Sequence, residues 1–180
     1  MNINSVHQIK DGCGFFSATP LWYAYTRGRN KTLYTYLLAN EVDPEHCMYA
    51  IAWYDDADSA ELFKAHGASI DDGANGDTPF LAAFMWRKFQ VSEWFLKNGV
   101  HVNAVDLKGN TALFYAIKRK YPVEYIEMLL RYGADCNQEN KEGISPKKLA
   151  ELNRQAKILK LLKDSDTIPG SLSHIKPINY

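Results

Sequence analysis

Five histidines (His7, His46, His66, His101, His174), three cysteines (Cys13, Cys47, Cys136) and the acidic run Asp55-Asp56-Ala57-Asp58 are the side chains of this 180-residue chain best suited to acid–base, nucleophilic or metal chemistry. Such chemistry needs a spacing that brings several of them to one point. None of the patterns HExxH, CxxC, GxSxG or GxxxxGKS occurs. His46 stands beside Cys47, but two ligands without a third or fourth do not make a zinc site. Asp55 and Asp56 fall at a turn between two helical segments, and Asp58 lies near a helix start, where the macrodipole favours a carboxylate. Helix-start chemistry therefore explains this run better than calcium. Asp71 and Asp72, in IDDGANGD, suit a turn in which Asp and Gly serve the backbone. His66 and His101 flank glycines that end helices, and His66 is placed to bond the last carbonyls. Three widely spaced cysteines fit reduced thiols buried as small apolar side chains rather than a disulfide framework. The expectation is a chain with no catalytic residue, no metal site and no cofactor, and hence not an enzyme.

The elements that place these residues are visible as a repeat. GDTPFLAAF at 76–84 returns 33 residues later as GNTALFYAI at 109–117, with the Gly, the Thr and an interior Ala at the same offsets. The same small-residue position continues outwards as Ala24, Ala50, Ala83, Ala116 and Ala150, at spacings of 26, 33, 33 and 34. Gly67 and Gly133 stand 17 residues after Ala50 and Ala116, and Gly99 stands 16 after Ala83. A period in this range is the mark of a repeat architecture.

Residues 76–103 show the physics of one unit. Thr78 can cap a helix, and Pro79 at its first position has a preset φ and no N–H to satisfy. Phe80, Ala83 and Phe84 share a face. The chain then reverses through RKFQ into VSEWFLKN, whose Val91, Trp94 and Phe95 fall at helical spacing. Gly99 supplies the positive φ that ends this second helix, and VHVNAVDLKGN is polar and turn-rich. Two such short helices cannot bury their apolar faces alone, so each pair must stack on a neighbour.

With these features the chain resembles the ankyrin repeat family, most clearly in DTPFLAAF, NAVDLKGNTALFYAI and LLRYGADCN. The resemblance covers about residues 11–163 and some five units. It implies an all-α, ankyrin-repeat solenoid of helix pairs with short β-turn fingers. Residues 1–163 are expected to form one domain, with an irregular N-terminal segment and the last unit as a cap, followed by a C-terminal tail at 164–180. There are departures. Unit one carries Glu41 where the family would place glycine, which predicts a strained or differently turned helix end. Little room remains for a finger at the first junction, and unit two lacks a Thr-Pro start. Unit five exposes Arg154, Lys157, Lys160 and Lys163, as a terminal cap requires.

Three positions beyond each signature Ala stand Arg27, Trp53, Trp86, Arg119 and Asn153, which stacking aligns into one stripe. The family places partner-facing residues at finger tips and at the end of the first helix. The resemblance thus implies a binding surface of Arg27, Trp53, Tyr54, Met85, Trp86, Lys118 and Arg119. Finger tips would add Asn75, Asp77, Leu107, Lys108 and Asn110. Trp and Arg are frequent energetic anchors of interfaces, although tucked tryptophans would merely fill space. Trp22, Met48, Leu81 and Phe114 read as packing between units.

Composition limits the function. Hydrophobic residues make up 46% of the chain, enough for a substantial core, and no apolar run reaches membrane-helix length. The start of the chain lacks a basic, then apolar, secretory pattern. The net charge is zero, yet residues 1–90 carry 7 basic and 11 acidic side chains, and residues 91–180 carry 14 and 10. That gradient suits orientation of a protein partner and is too weak for a nucleic-acid footprint. The expected protein is a cytoplasmic monomer that binds another protein on its concave face, with no membrane or nucleic-acid partner. A chain that is little more than the stack suits a small stand-alone inhibitor, such as an immunity protein that neutralises a cognate toxin. The alternative is an adaptor or effector scaffold that tethers partners without inhibiting them.

Overall fold

A computed structural model describes residues 7–11, 14–45, 47–71 and 78–166. Five helix pairs succeed one another: α1 (Pro20–Thr26) and α2 (Lys31–Ala39), α3 (Cys47–Tyr54) and α4 (Ala57–Ala65), α5 (Pro79–Met85) and α6 (Phe89–Lys97), α7 (Ala112–Lys118) and α8 (Val123–Arg131), α9 (Pro146–Leu152) and α10 (Ala156–Asp166). The first helices pack in the order α1, α3, α5, α7, α9, while α4 meets α6 and α8 meets α10. The stack is the all-helical ankyrin-type solenoid expected from the repeat. Before it comes an antiparallel hairpin of β1 (His7–Asp11) and β2 (Gly14–Ala18), with His7 opposite Ala18 and Asp11 opposite Gly14. The sequence reading had only an irregular segment there. α10 runs to Asp166, past the expected boundary at 163, and the rest of the proposed tail, 167–180, lies outside the described residues.

Local chemistry fixes the start of four of the five first helices. The side chains of Thr19, Thr78, Thr111 and Ser145 accept from the N–H of Trp22, Leu81, Phe114 and Lys148 at 3.1–3.2 Å. Proline opens α1, α5 and α9. Asp56 caps α4 through the N–H of Ser59. Lys88 offers α6 no side-chain cap, but Asp55 of the preceding unit supplies one, accepting from the N–H of Val91 at 2.9 Å. The carboxylates Asp55 and Asp56 are thus helix caps, one for their own unit and one for the next.

Matching hydrogen bonds define the true register of the units. In the inter-helix turns, Lys88 N–H donates to Ala83 O, Tyr121 N–H to Ala116 O, Gln155 N–H to Ala150 O, and Asp56 N–H to Ile51 O. Ile51, not Ala50, is therefore the equivalent of the signature alanine in unit two. Ile51, Ala83, Ala116 and Ala150 are fully buried, whereas Ala50 is partly exposed. The first four second helices end in one way: Val42, Ala68, Val100 and Ala134 donate to Leu37, Phe63, Phe95 and Leu129. The residue before each of these has positive φ, and it is Glu41, Gly67, Gly99 and Gly133 in turn. Glu41 adopts the same turn at φ 57°, so the first unit keeps the geometry without the glycine that makes it easy.

Two kinds of joint hold the finger side. Asp71 accepts from His101 N–H at 3.2 Å, and at the equivalent place Asn103 accepts from Asp135 N–H and donates to Gly133 O. Between fingers, Asn140 Nδ2 donates to Asn110 Oδ1 at 2.8 Å and Lys141 N–H to Lys108 O at 3.0 Å. The apolar core runs unbroken through the stack, with Leu21, Phe63, Phe80, Phe84, Phe95, Leu113, Ile126 and Leu162 among its fully buried members.

Candidate protein-binding surface

The end of each first helix is where a side chain can leave the core without leaving the stack. Trp53 on α3 and Trp86 at the end of α5 meet there edge to face, with ring centroids 4.9 Å apart and an interplanar angle of 78°. Trp53 is 53% exposed and Trp86 39%. The corrected register puts Arg27, Tyr54, Trp86, Arg119 and Asn153 in one column, and Thr26, Trp53, Met85, Lys118 and Leu152 in the column beside it. The two indoles therefore touch diagonally, from neighbouring columns, rather than as rungs of a single stripe.

Several neighbours are bound into the stack as well as exposed. Tyr54 donates its hydroxyl to Thr26 O at 3.3 Å, and the Arg29 guanidinium lies 4.5 Å above its ring. Arg119 donates to Met85 O and rests 5.2 Å over the Tyr115 ring. Tyr121, one unit after Lys88, reaches back to the same carbonyl at 3.1 Å. Arg27 and Lys118 are exposed, Met85 is partly covered, and the Lys118 ammonium sits 5.7 Å from the Phe114 ring. Lys88 adds a cation 5.9 Å from the Trp53 ring.

The finger residues divide. Leu107 and Lys108 project into solvent at a tip. Asn110 does not: it is 3% exposed and locked between Asp106, the Tyr115 hydroxyl and Asn140. Its expected role at a partner surface is corrected to that of a finger joint. Asp106 organises this loop by accepting from the N–H groups of Lys108 and Asn110, each at 2.8 Å, and from the Tyr115 hydroxyl. Asn75 and Asp77 lie outside the described residues. Arg87 and Lys120, which immediately follow Trp86 and Arg119 in the series one step beyond the expected stripe, are exposed cations at its border.

The electrostatics of the buried groups are those of structure. Burial raises the Asp56 carboxyl, but the Ser59 N–H and hydroxyl, the Tyr25 hydroxyl and Arg29 outweigh it and hold the group below its ordinary value. Burial likewise opposes, and bonds from Tyr115, Asn110 and Lys108 overcome, at Asp106. Burial pushes the Cys47 thiol up to about 12, against a hydrogen bond with Thr19, so it is an inert core side chain. Cys136 is buried too. Among the described residues no group of three or more His, Cys, Asp and Glu is placed to hold a metal ion. No helix among them is long and apolar enough to cross a membrane.

An exposed aromatic pair bordered by cations, on a rigid stack, suits non-covalent recognition, and comparison with known proteins agrees in class. The family model for ankyrin repeats matches residues 47–140 in three copies, just over half of the chain. The chain belongs to the ankyrin repeat family, and so is a protein–protein interaction module. It is 45% identical over 51 residues to a chain of Acanthamoeba polyphaga mimivirus named as an ankyrin repeat protein, covering 28% of this chain and 12% of that one. A fowlpox virus chain named in the same way is 36% identical over 70 residues, 38% of this chain and 20% of its own length. A Plasmodium falciparum chain named as an E3 ubiquitin-protein ligase is 38% identical over 74 residues, 36% of this chain and 1% of its own. The chain thus spans a fifth or less of these relatives.

Proposed function

We propose that this chain is a non-catalytic, monomeric binder that blocks its partner stoichiometrically, in the manner of an immunity protein occluding a toxin. Its binding surface is the concave side bordered by the ends of the first helices and the finger tips at Leu107 and Lys108. The observation that carries the reading is the Trp53–Trp86 contact, a half-exposed aromatic pair on elements already held by a full core. Folding has no need of indoles there. A preformed surface also loses little freedom on binding, which favours the tight complex that a blocker requires. Trp53→Ala and Trp86→Ala are each expected to weaken the complex by roughly 2 kcal/mol or more, the scale of anchor truncation. Titration calorimetry with the partner recovered from cells, alongside an assay of that partner's activity, tests both halves of the reading. Unchanged affinity in the double variant would remove the surface assignment, and full partner activity in the complex would remove the inhibitor.

The adaptor reading rests on a different observation. Leu33 and Tyr36 are well exposed on α2, a second helix whose Tyr34, Leu37 and Leu38 face the core. A second partner seated there, with the first retaining its activity, is the outcome that would favour tethering.

A further inference from the structure

The inter-helix turns of units three and four carry Arg87-Lys88 and Lys118-Arg119-Lys120 beside the tryptophan pair. Arg87 and Lys120 stand at φ 60° and 54°, in the left-handed region where glycine is the comfortable residue. Arg29 and Arg154 occupy the same place in the first and last turns, at φ 39° and 53°. In the turn of unit two that place is held by Asp55 at φ 56°, so the left-handed residue is an anion there and a cation in the other four turns. Two ion pairs, Arg29 with Asp56 and Lys97 with Glu93, involve none of the five cations of units three and four. Four of them lie near ring faces or a carbonyl: Arg87 is 5.3 Å over the Tyr121 ring, Lys88 and Lys118 are near Trp53 and Phe114, and Arg119 is tied to Met85 O. The carboxylates nearby are already engaged or are single. Asp55 caps α6, Asp56 is held by Tyr25 and Arg29, and Glu124 stands alone in the first turn of α8.

Five like charges held on two adjacent turns repel one another, and an anionic partner relieves that repulsion as it docks. Resting on the protein-binding reading above, we infer that this edge docks an acidic protein segment that carries an apolar side chain among its carboxylates, the apolar group lodging against Trp53 and Trp86. A nucleic acid fits less well. A phosphate backbone following the row of turns from unit four toward unit one would run onto Asp55 and Asp56 of unit two.

The test uses a short fluorescein-labelled peptide of glutamates around a central Leu-Phe pair, read by anisotropy against the full chain. Arg87→Gly with Lys120→Gly is the variant of choice, because glycine relaxes both turns and the protein should melt no lower than the wild type. Binding is expected to weaken about tenfold in the double variant and to lose part of its salt dependence. Replacing the peptide's glutamates by lysines should abolish binding, and replacing its Leu-Phe by alanines should make the remaining affinity insensitive to Trp86→Ala. Equal binding of the acidic and basic peptides, an unchanged affinity in the glycine variant, or tighter binding of a single-stranded oligonucleotide of equal charge would each overturn the inference. A physiological partner lost by the tryptophan variants yet indifferent to the glycine variant would overturn it while leaving the blocking function standing.

Discussion

Glu41 shows how far one residue can depart from its pattern without disturbing the chain around it. It ends α2 in the left-handed turn that glycine makes in units two to four, with its N–H on Leu38 O. The sequence pointed to strain or a different turn, and the structure keeps the turn. Glu41→Gly should therefore raise stability by about 1 kcal/mol, since the left-handed penalty of a side chain slightly exceeds glycine's greater freedom when unfolded. A urea titration at constant m-value checks it. Asp106 gives a pH-dependent counterpart. Its folded value lies below the ordinary 3.8, so its stabilisation is complete above that value and fades as pH falls through the lower folded one. Asp56 behaves in the same sense. Melting temperature should drop on acidification below about pH 4, and Asp106→Asn should lower stability at neutral pH while flattening that acid limb. Asn110 marks a limit of sequence reading at this scale. A polar residue in a finger looks like surface, and only the Asp106 loop and the amide of Asn140, thirty residues on, reveal it as interior.

At the level of elements, helices and turns were largely legible because threonine caps, prolines and glycines act within a few residues. What sequence missed depended on pairing across a longer distance or on a register shift. The hairpin of β1 and β2 escapes the sequence reading although Gly12 opens the two-residue stretch between the paired Asp11 and Gly14, a recognised hairpin position for glycine. In unit two the string Ala50-Ile51-Ala52 offers three residues for one small position, and spacing points to Ala50, whereas the turn hydrogen bond puts Ile51 there and leaves Ala50 as the partly exposed one of the three. The column of exposed side chains shifted by one residue as a consequence. Two glycines with the same φ sign separate backbone freedom from close approach. An added Cβ at Gly99 meets nothing within 4 Å, whereas at Gly109 it lies 3.0 Å from Lys141 N and 3.2 Å from Asn140 Cα. Gly99→Ala is expected to destabilise by about 1 kcal/mol through conformation alone. Gly109→Ala should lose roughly twice that, because the next finger must also retreat. Chemical denaturation of the pair, with amide exchange at Lys141 as local probe, distinguishes the two mechanisms.

Across the described residues, the principal packing joins each helix pair to its neighbours, so stability is approximately a sum over units and junctions. Leu113 and Leu162 are both fully buried, one in the middle of the stack and one in its last helix. Leu113→Ala should cost about 3 kcal/mol and lower protection on both sides of unit four. Leu162→Ala should cost less and loosen mainly α9 and α10, because a terminal unit can fray without opening the rest. Hydrogen exchange resolved along the chain separates these outcomes.

The joints formed by Asp71 and Asn103 have a consequence for how such a chain can change. In each, the side chain of one unit grips main-chain atoms of the next, the N–H of His101 or of Asp135 and the carbonyl of Gly133. Every amino acid except proline offers that N–H, so the grip does not dictate what the gripped unit displays outwards. Retargeting to a new partner could then proceed by swapping outward residues one at a time, with the scaffold's seams left undisturbed.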